Sequence, residues 1–422
     1  GIAGTDGAYT QIVVNKDTPS ILHYQCANHS YMGNSIALIS EKQAGTNAYS
    51  AKFLLEGKAE VGNTLNIKEE SADPDGFTSN SVKEIISNHR SFAALKNDGS
   101  VVTWGSSYDG GKSSGVSSNL TSGVKKIFSS ALAFAALKND GSVITWGNPS
   151  WGGDSSSVSN LLNSDVKQIF SNDRSFAALK NDGSVITWGH SGSGGDNSNK
   201  DLSSGVQQVF STNTAFAALK DDGSVISWGN PSFGGDSNSV SSLLNSDVKQ
   251  IFPNAAAFTA LKNDGSIVTW GDPSFGGDNN SVSNKLNSEV KEIFSTHSAF
   301  AALKNDGSVV TWGDPSFGGD SSSVSTKLDS GVKQLFSNAS SFAALKNDGS
   351  VVTWGDPSFG GDSSSVSTKL DSGVKQLFST HQAFAALKND GSVVTWGGSA
   401  WGGDSTSVSN LLNSDVKQIF ST

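Results

Sequence analysis

Residues 342–355 read FAALKNDGSVVTWG, and close variants of this string occur eight times in the 422-residue chain. Their tryptophans are Trp104, Trp146, Trp188, Trp228, Trp270, Trp312, Trp354 and Trp396, spaced by 42 residues except for one step of 40. A second string, VKQIFS or a variant, precedes each copy. It begins at Val82, Val124, Val166, Val206, Val248, Val290, Val332 and Val374, and occurs a ninth time at Val416. A fixed period of this length is the mark of a repeat architecture, and it has to be recognised before any single element is read.

Each unit divides into short strands. VKQIF interleaves β-branched and polar residues, as a half-buried strand does. FAALK follows a short polar turn. Asn-Asp-Gly then supplies a hairpin, because glycine accepts positive φ at little cost. SVVTWG is a third strand rich in β-formers. The Gly- and Ser-rich connection that follows holds either a short fourth strand or a helical turn. A unit of about 42 residues built this way matches a propeller blade. An open β-solenoid is the rival, but hairpins closed by NDG suit antiparallel blades better. The expected fold is all-β, an eight-bladed β-propeller over 82–422. Before it come a small β-hairpin module at 1–40 and a connector at 41–81. Nine VKQIF strings serve eight AALK segments, so one strand is spare, and its simplest use is to close the ring.

The units resemble the repeat of the regulator of chromosome condensation family, which carries an Ala-Leu pair, an acidic residue with Gly, and Trp-Gly. In the seventh unit these are Ala344, Leu345, Asp348, Gly349, Trp354 and Gly355. The resemblance covers about 82–422 and implies a propeller. The same repeat occurs in secreted bacterial propellers that inhibit β-lactamases, so it implies no single function. The chain departs from the family at the strand leading into the Ala-Leu pair. Ser-rich stretches replace the family's glycine and histidine there, and nucleotide-exchange activity is not implied.

Comparison of the eight units isolates one variable register, two residues before each FAALK. It holds His89 and Arg90, Ala131 and Leu132, Asp173 and Arg174, Asn213 and Thr214, Ala255 and Ala256, His297 and Ser298, Ala339 and Ser340, and His381 and Gln382. Loops on a rigid scaffold commonly carry recognition. The candidate partner-binding ring is therefore His89, Arg90, Asp173, Arg174, Asn213, Thr214, His297, His381 and Gln382. Strand alternation places this turn on the same face as the loop after Trp-Gly, with the NDG hairpins opposite. That loop carries Trp151, Phe233, Phe275, Phe317, Phe359 and Trp401. They are candidate aromatic contacts for a sugar or a protein anchor, or alternatively packing between blades. The first and third units have Asp109 and Ser193 there. The repeated tryptophans are assigned to the core.

The amino-terminal segment differs. Gln11 to Val14 and Ile21 to Tyr24 read as strands across the turn NKDTPS. Cys26, His29 and Met32 follow at C-x2-H-x2-M spacing with His23 nearby, a soft ligand set suited to copper. This stretch resembles the carboxyl-terminal hairpin of a cupredoxin-like module, and a similar motif recurs in virion proteins of phages infecting marine cyanobacteria. The resemblance implies copper as a possible cofactor and a virion setting. Within the connector, LEGKAEVGNTLNIKEESADPDGF at 55–77 resembles the opening of an immunoglobulin-like bacterial surface repeat.

Composition narrows the function classes. The net charge is -10 and only 16% of residues are charged, which disfavours nucleic-acid binding and docking on anionic membranes. No apolar run approaches a membrane span. One cysteine excludes an internal disulfide. The repeated Asp-Gly turns fit no calcium loop. No nucleophile elbow, phosphate loop or HExxH string occurs. The expected function is non-enzymatic. The protein is read as a recognition or structural component of an extracellular or virion surface, of the tail-fibre, adhesin or decoration type. Its partner would be a protein or glycan, and it could assemble with other structural subunits. A secreted propeller that inhibits another protein and a copper-binding protein are the alternatives.

Overall fold

The computed structural model describes residues 82–421 and, before them, the backbone of five short strands. The chain divides into two compact units, Gly1–Ser81 and Val82–Thr422. In the first, Gln11–Val13 pairs with Lys52–Glu56, which pairs in turn with Asn66–Ser71. Ile21–Gln25 pairs with Gly33–Ala37. The strands flanking NKDTPS therefore belong to different sheets, and the first sheet joins residues on both sides of position 40. His23 lies in the Ile21–Gln25 strand, while Cys26, His29 and Met32, and with them the copper assignment, lie outside the described residues.

The second unit is all-β and contains eight blades, each a sheet of three antiparallel strands in sequence order. The fifth blade is typical, with Val248–Pro253, Ala257–Lys262 and Ile267–Gly271. Its first strand pairs with the middle strand through Val248↔Lys262 and Ile251↔Ala260, with one bulge at the start. Each blade thus begins with its VKQIF string. The connection is helical, not a fourth strand. In the fourth unit it forms two short 3-10 stretches, Pro231–Phe233 and Asn238–Leu243. Asn230 caps the first by accepting from the Ser232 N–H. Pro231 supplies a preset φ and no wasted donor, and Gly234 ends the turn at φ 90°. The third unit, two residues shorter, keeps only Ser191–Ser193.

The core lies between blades. Seven clusters of buried side chains each join one blade to the next. At the junction of the fourth and fifth blades, Ala215, Ala217, Leu219, Val225 and Leu244 meet Val248, Ile251, Phe258, Ala260, Val268 and Trp270. A middle strand buried on both faces reads as a continuous apolar run, as FAAL does. Its alternate residues face opposite neighbours. Phe258 stacks on Trp270 with centroids 5.2 Å apart, and the Trp270 indole N–H donates to the Gly234 carbonyl at 3.0 Å. That bond supplies the one partner a buried indole requires.

Two expectations are corrected here. Seven repeated tryptophans are buried, but Trp104 is 42% exposed, together with Phe92 at 43%. Residues 416–420 adopt no strand, so the spare string does not close the ring. Among the described residues no buried cluster joins the eighth blade to the first. No helix among them is long and apolar enough to cross a membrane.

Candidate recognition face

The variable register coincides with a hydrogen-bond ladder between blades. The His89 N–H donates to the Ala131 carbonyl, Ala131 to Asp173, Asp173 to Asn213, Asn213 to Ala255, Ala255 to His297, His297 to Ala339, and Ala339 to His381, at 2.8–3.2 Å. All seven bonds are backbone to backbone. The first residue of each pair is constrained through its main chain, which leaves its side chain free to vary. That is a physical cause for variation at the first position of this register.

A constant polar residue stands immediately before each pair. The Asn254 carboxamide oxygen accepts from the Ala256 and Ala257 N–H groups, and its nitrogen donates to the Phe275 carbonyl at 2.7 Å. Thr296 performs both tasks with one hydroxyl, accepting from Ala299 and donating to the Phe317 carbonyl. These residues pin the variable turn to the loop after Trp-Gly, so the two do share a face. They were missed in reading the sequence, although an Asn, Ser or Thr in every copy is a visible signal.

The face carries a depression of about 630 Å³. Its lining comes from the first six blades: polar His89, Asp173, Asn213 and His297 and apolar Ala131 and Ala255 from the variable register, with the Asn, Ser or Thr before all but His297 and the residues that end the first strands, four serines and Pro253. Burial raises the carboxyl of Asp173, opposed by the charges of His89 and Arg174. The other predicted residues lie outside the depression. Arg90 sits 3.8 Å from the buried carboxylate of Asp109. The Arg174 guanidinium lies 4.7 Å above the Trp151 ring, a cation–π arrangement. The His297 ring sits between Phe275 at 5.7 Å and Phe317 at 5.8 Å, and His381 packs on Trp401. The Thr214 hydroxyl is buried with no hydrogen-bond partner among the described residues. Gln382 is half-buried.

The aromatic loop residues are divided. Phe233, Phe275 and Phe317 pack against the clusters between blades. Trp151 and Phe359 are half-buried, and Trp401 is exposed. The lining of the depression offers amides, hydroxyls, imidazoles and one carboxylate, a set that binds through hydrogen bonds. Among the described residues no three His, Cys, Asp or Glu side chains converge as metal ligands. A second depression of about 520 Å³, lined by Asp196, Lys200, Trp228 and Asp236, lies beside the shortened third connection.

No protein-family model matches the chain, and no curated protein matches it. Several solved structures are similar. The ectodomain of the receptor kinase CR4 from Physcomitrella patens is 12% identical, with 64% of this chain and 72% of that one covered and a TM-score of 0.33. Yeast RCC1 (Prp20), solved with Kap60, is 16% identical, with 55% and 70% covered and a TM-score of 0.34. The computationally designed Ika8 protein is 13% identical, with 75% and 96% covered and a TM-score of 0.29. These similarities assign no activity or ligand to this chain.

Proposed function

We propose that this protein is a non-enzymatic recognition module that binds a protein or glycan through the face bearing the variable turns, at an extracellular or virion surface. The observation that carries the proposal is the polar depression in which four variable side chains from different blades meet over a constant hydrogen-bonded frame. The frame holds position without using the variable side chains. They are therefore free to be chosen for a ligand. The amide and hydroxyl lining suits a hydroxyl-rich sugar or a polar protein loop.

The test is a variant with Arg90, Arg174, His297 and His381 all changed to Ala, beside a second with His89→Ala and Asp173→Ala. Both should lose binding to glycan arrays or to host-cell surfaces. The thermal stability of the second should stay within about 0.5 kcal/mol of the parent, as for exposed positions. The first should fall further, because it also loses the Arg174–Trp151 contact, the ring contacts of His297 and His381, and the Arg90 charge beside the buried Asp109 carboxylate. Retained binding with a sharp fall in melting temperature would make the register structural and sink the reading.

A further inference from the structure

The backbone ladder fixes the order of side chains around the depression. From the first blade to the sixth it runs His89, Ala131, Asp173, Asn213, Ala255 and His297, each joined to the next by one hydrogen bond. All six line the depression. The alanines leave two gaps in its wall, one between His89 and Asp173 and one between Asn213 and His297. Asp173 is the one Asp, Glu, Lys or Arg among the described residues of the lining. Its carboxylate also differs from others in the chain. Asp182 accepts from the Ser184 N–H and hydroxyl, and Asp109 accepts from Ser106 beside Arg90. Asp173 accepts no hydrogen bond and forms no ion pair among the described residues. Its neighbour Arg174 lies over the Trp151 ring. Asp173 is open to solvent, yet the walls around it raise its carboxyl by burial, against the charges of His89 and Arg174. A carboxylate partly withdrawn from water gains most from a cation or donor that reaches it.

We propose that the gap over Ala131, between the His89 imidazole and the Asp173 carboxylate, is a subsite for a cationic amino group of the ligand, carried by a lysine side chain or by an amino sugar. The inference rests on the recognition reading above and deepens it by fixing the charge of what is recognised. The ammonium donates to the Asp173 carboxylate, and a charge-assisted bond of that kind is stronger than a neutral one. A neutral imidazole at His89 has one ring nitrogen free to accept a second ammonium hydrogen. Ala131 supplies the room, because it is a methyl group where the first blade has an imidazole and the third a carboxylate. The Arg174–Trp151 contact keeps the chain's own guanidinium out of the place. The net charge of -10 draws a cationic ligand from a distance. An anionic group in the same gap would face the Asp173 charge unpaired, so the feature that attracts an amine also rejects an acid.

Saturation-transfer NMR on the full chain tests the proposal. The probes are two amines, Nα-acetyl-lysine methylamide and glucosamine, and their uncharged counterparts, the Nε-acetylated lysine derivative and N-acetylglucosamine. At neutral pH at least one amine should bind and its acetylated form should not. Asp173→Asn should weaken that amine about tenfold or more, the loss of one charge-assisted hydrogen bond. Asp182→Asn on the hairpin rim should leave its binding unchanged. Ala131→Leu, which fills the gap, should block it, and Asp173→Asn decides the outcome if that variant does not fold. Preference for the lysine derivative assigns the amino group to a protein partner, and preference for glucosamine assigns it to a glycan. Amine binding that survives Asp173→Asn undiminished would be attraction to the acidic surface at large and would overturn the subsite. Equal binding of the uncharged counterparts would overturn it as well, while leaving a recognition face for neutral polar ligands. Failure of both amines to bind would also overturn it, and the recognition reading would then be decided separately by the variants of the variable register on glycan arrays and cell surfaces.

Discussion

The junction between the fourth and fifth blades and the incoming face of the first blade are built from the same residue types at the same spacing. Val248, Ile251, Phe258 and Trp270 correspond to Val82, Ile85, Phe92 and Trp104. In the first set Phe258 is fully buried and Trp270 nearly so, while in the second Phe92 and Trp104 are open. Both pairs stack at 5.2 Å. The strands, hairpins and ring pairing are therefore local properties of a unit, whereas burial belongs to the contact between units. A repeat of this kind draws its stability from nearest-neighbour interfaces, and a blade lacking a neighbour keeps its shape but loses that contribution.

The sharpest way to break the comparison is a matched pair of truncations. Trp270→Ala should cost about 3–5 kcal/mol, the range for a buried aromatic, and Trp104→Ala no more than about 1 kcal/mol in the monomer. Chemical denaturation of both variants measures the difference. Equal losses would show that Trp104 is covered in solution.

A glycine pair gives the next effect. Gly234 and Gly402 have φ of 90° and 94°, so alanine is strained at both, by about 1–2 kcal/mol. At Gly234 the added Cβ also falls 2.6 Å from the Phe258 ring, whereas at Gly402 nothing lies within 4 Å. Gly234→Ala should therefore lose a further 1–3 kcal/mol or so, the usual cost of overpacking. Thermal melts of the two variants at low protein concentration supply the check.

The smallest effects distinguish the two rims of one blade. On the hairpin rim, hydrogen bonds from the Ser184 hydroxyl and N–H lower the carboxyl of Asp182. On the recognition rim, burial raises that of Asp173. A lowered folded pKa stabilises the fold above the unfolded value, and this contribution is lost as pH falls through the folded one. A raised folded pKa has the opposite sign. The folded state takes the proton first, so Asp173 lowers stability as pH rises from the ordinary aspartate value of 3.8 through its higher folded value. At neutral pH, Asp182→Asn should therefore lower the melting temperature and Asp173→Asn should raise it slightly. Both differences should fade in acid. A fall in both variants at neutral pH would mean that Asp173 is held by a partner in the depression and is not merely desolvated there.

Much of the architecture was legible in the repeats. Positive-φ glycines after Asn-Asp, β-branched runs and the alternation of FAALK specify strands and turns through interactions a few residues long. Once the strands alternate, the variable turn and the aromatic loop must share a face. The polar residue before the variable pair was equally legible and was overlooked. The helical nature of the connection was less so, because Asp-Pro-Ser-Phe-Gly-Gly is compatible with several short conformations until its ends are anchored.

The sequence by itself determined the unit, its three strands and its period, because these follow from backbone preference and local hydrogen bonding. Contact between blades decided which copies of the repeated string are core and which are surface, and the sequence carries only an indirect trace of it. Trp104 and Trp270 share a motif and differ only in what lies 36 residues before them: a Gly-Gly loop precedes Trp270 and none precedes Trp104. Tertiary structure also decided that variable residues distant in the chain meet over one depression. Which turns face one another depends on how blades stack, and that is set by the cooperative packing of faces that no single repeat can bury alone.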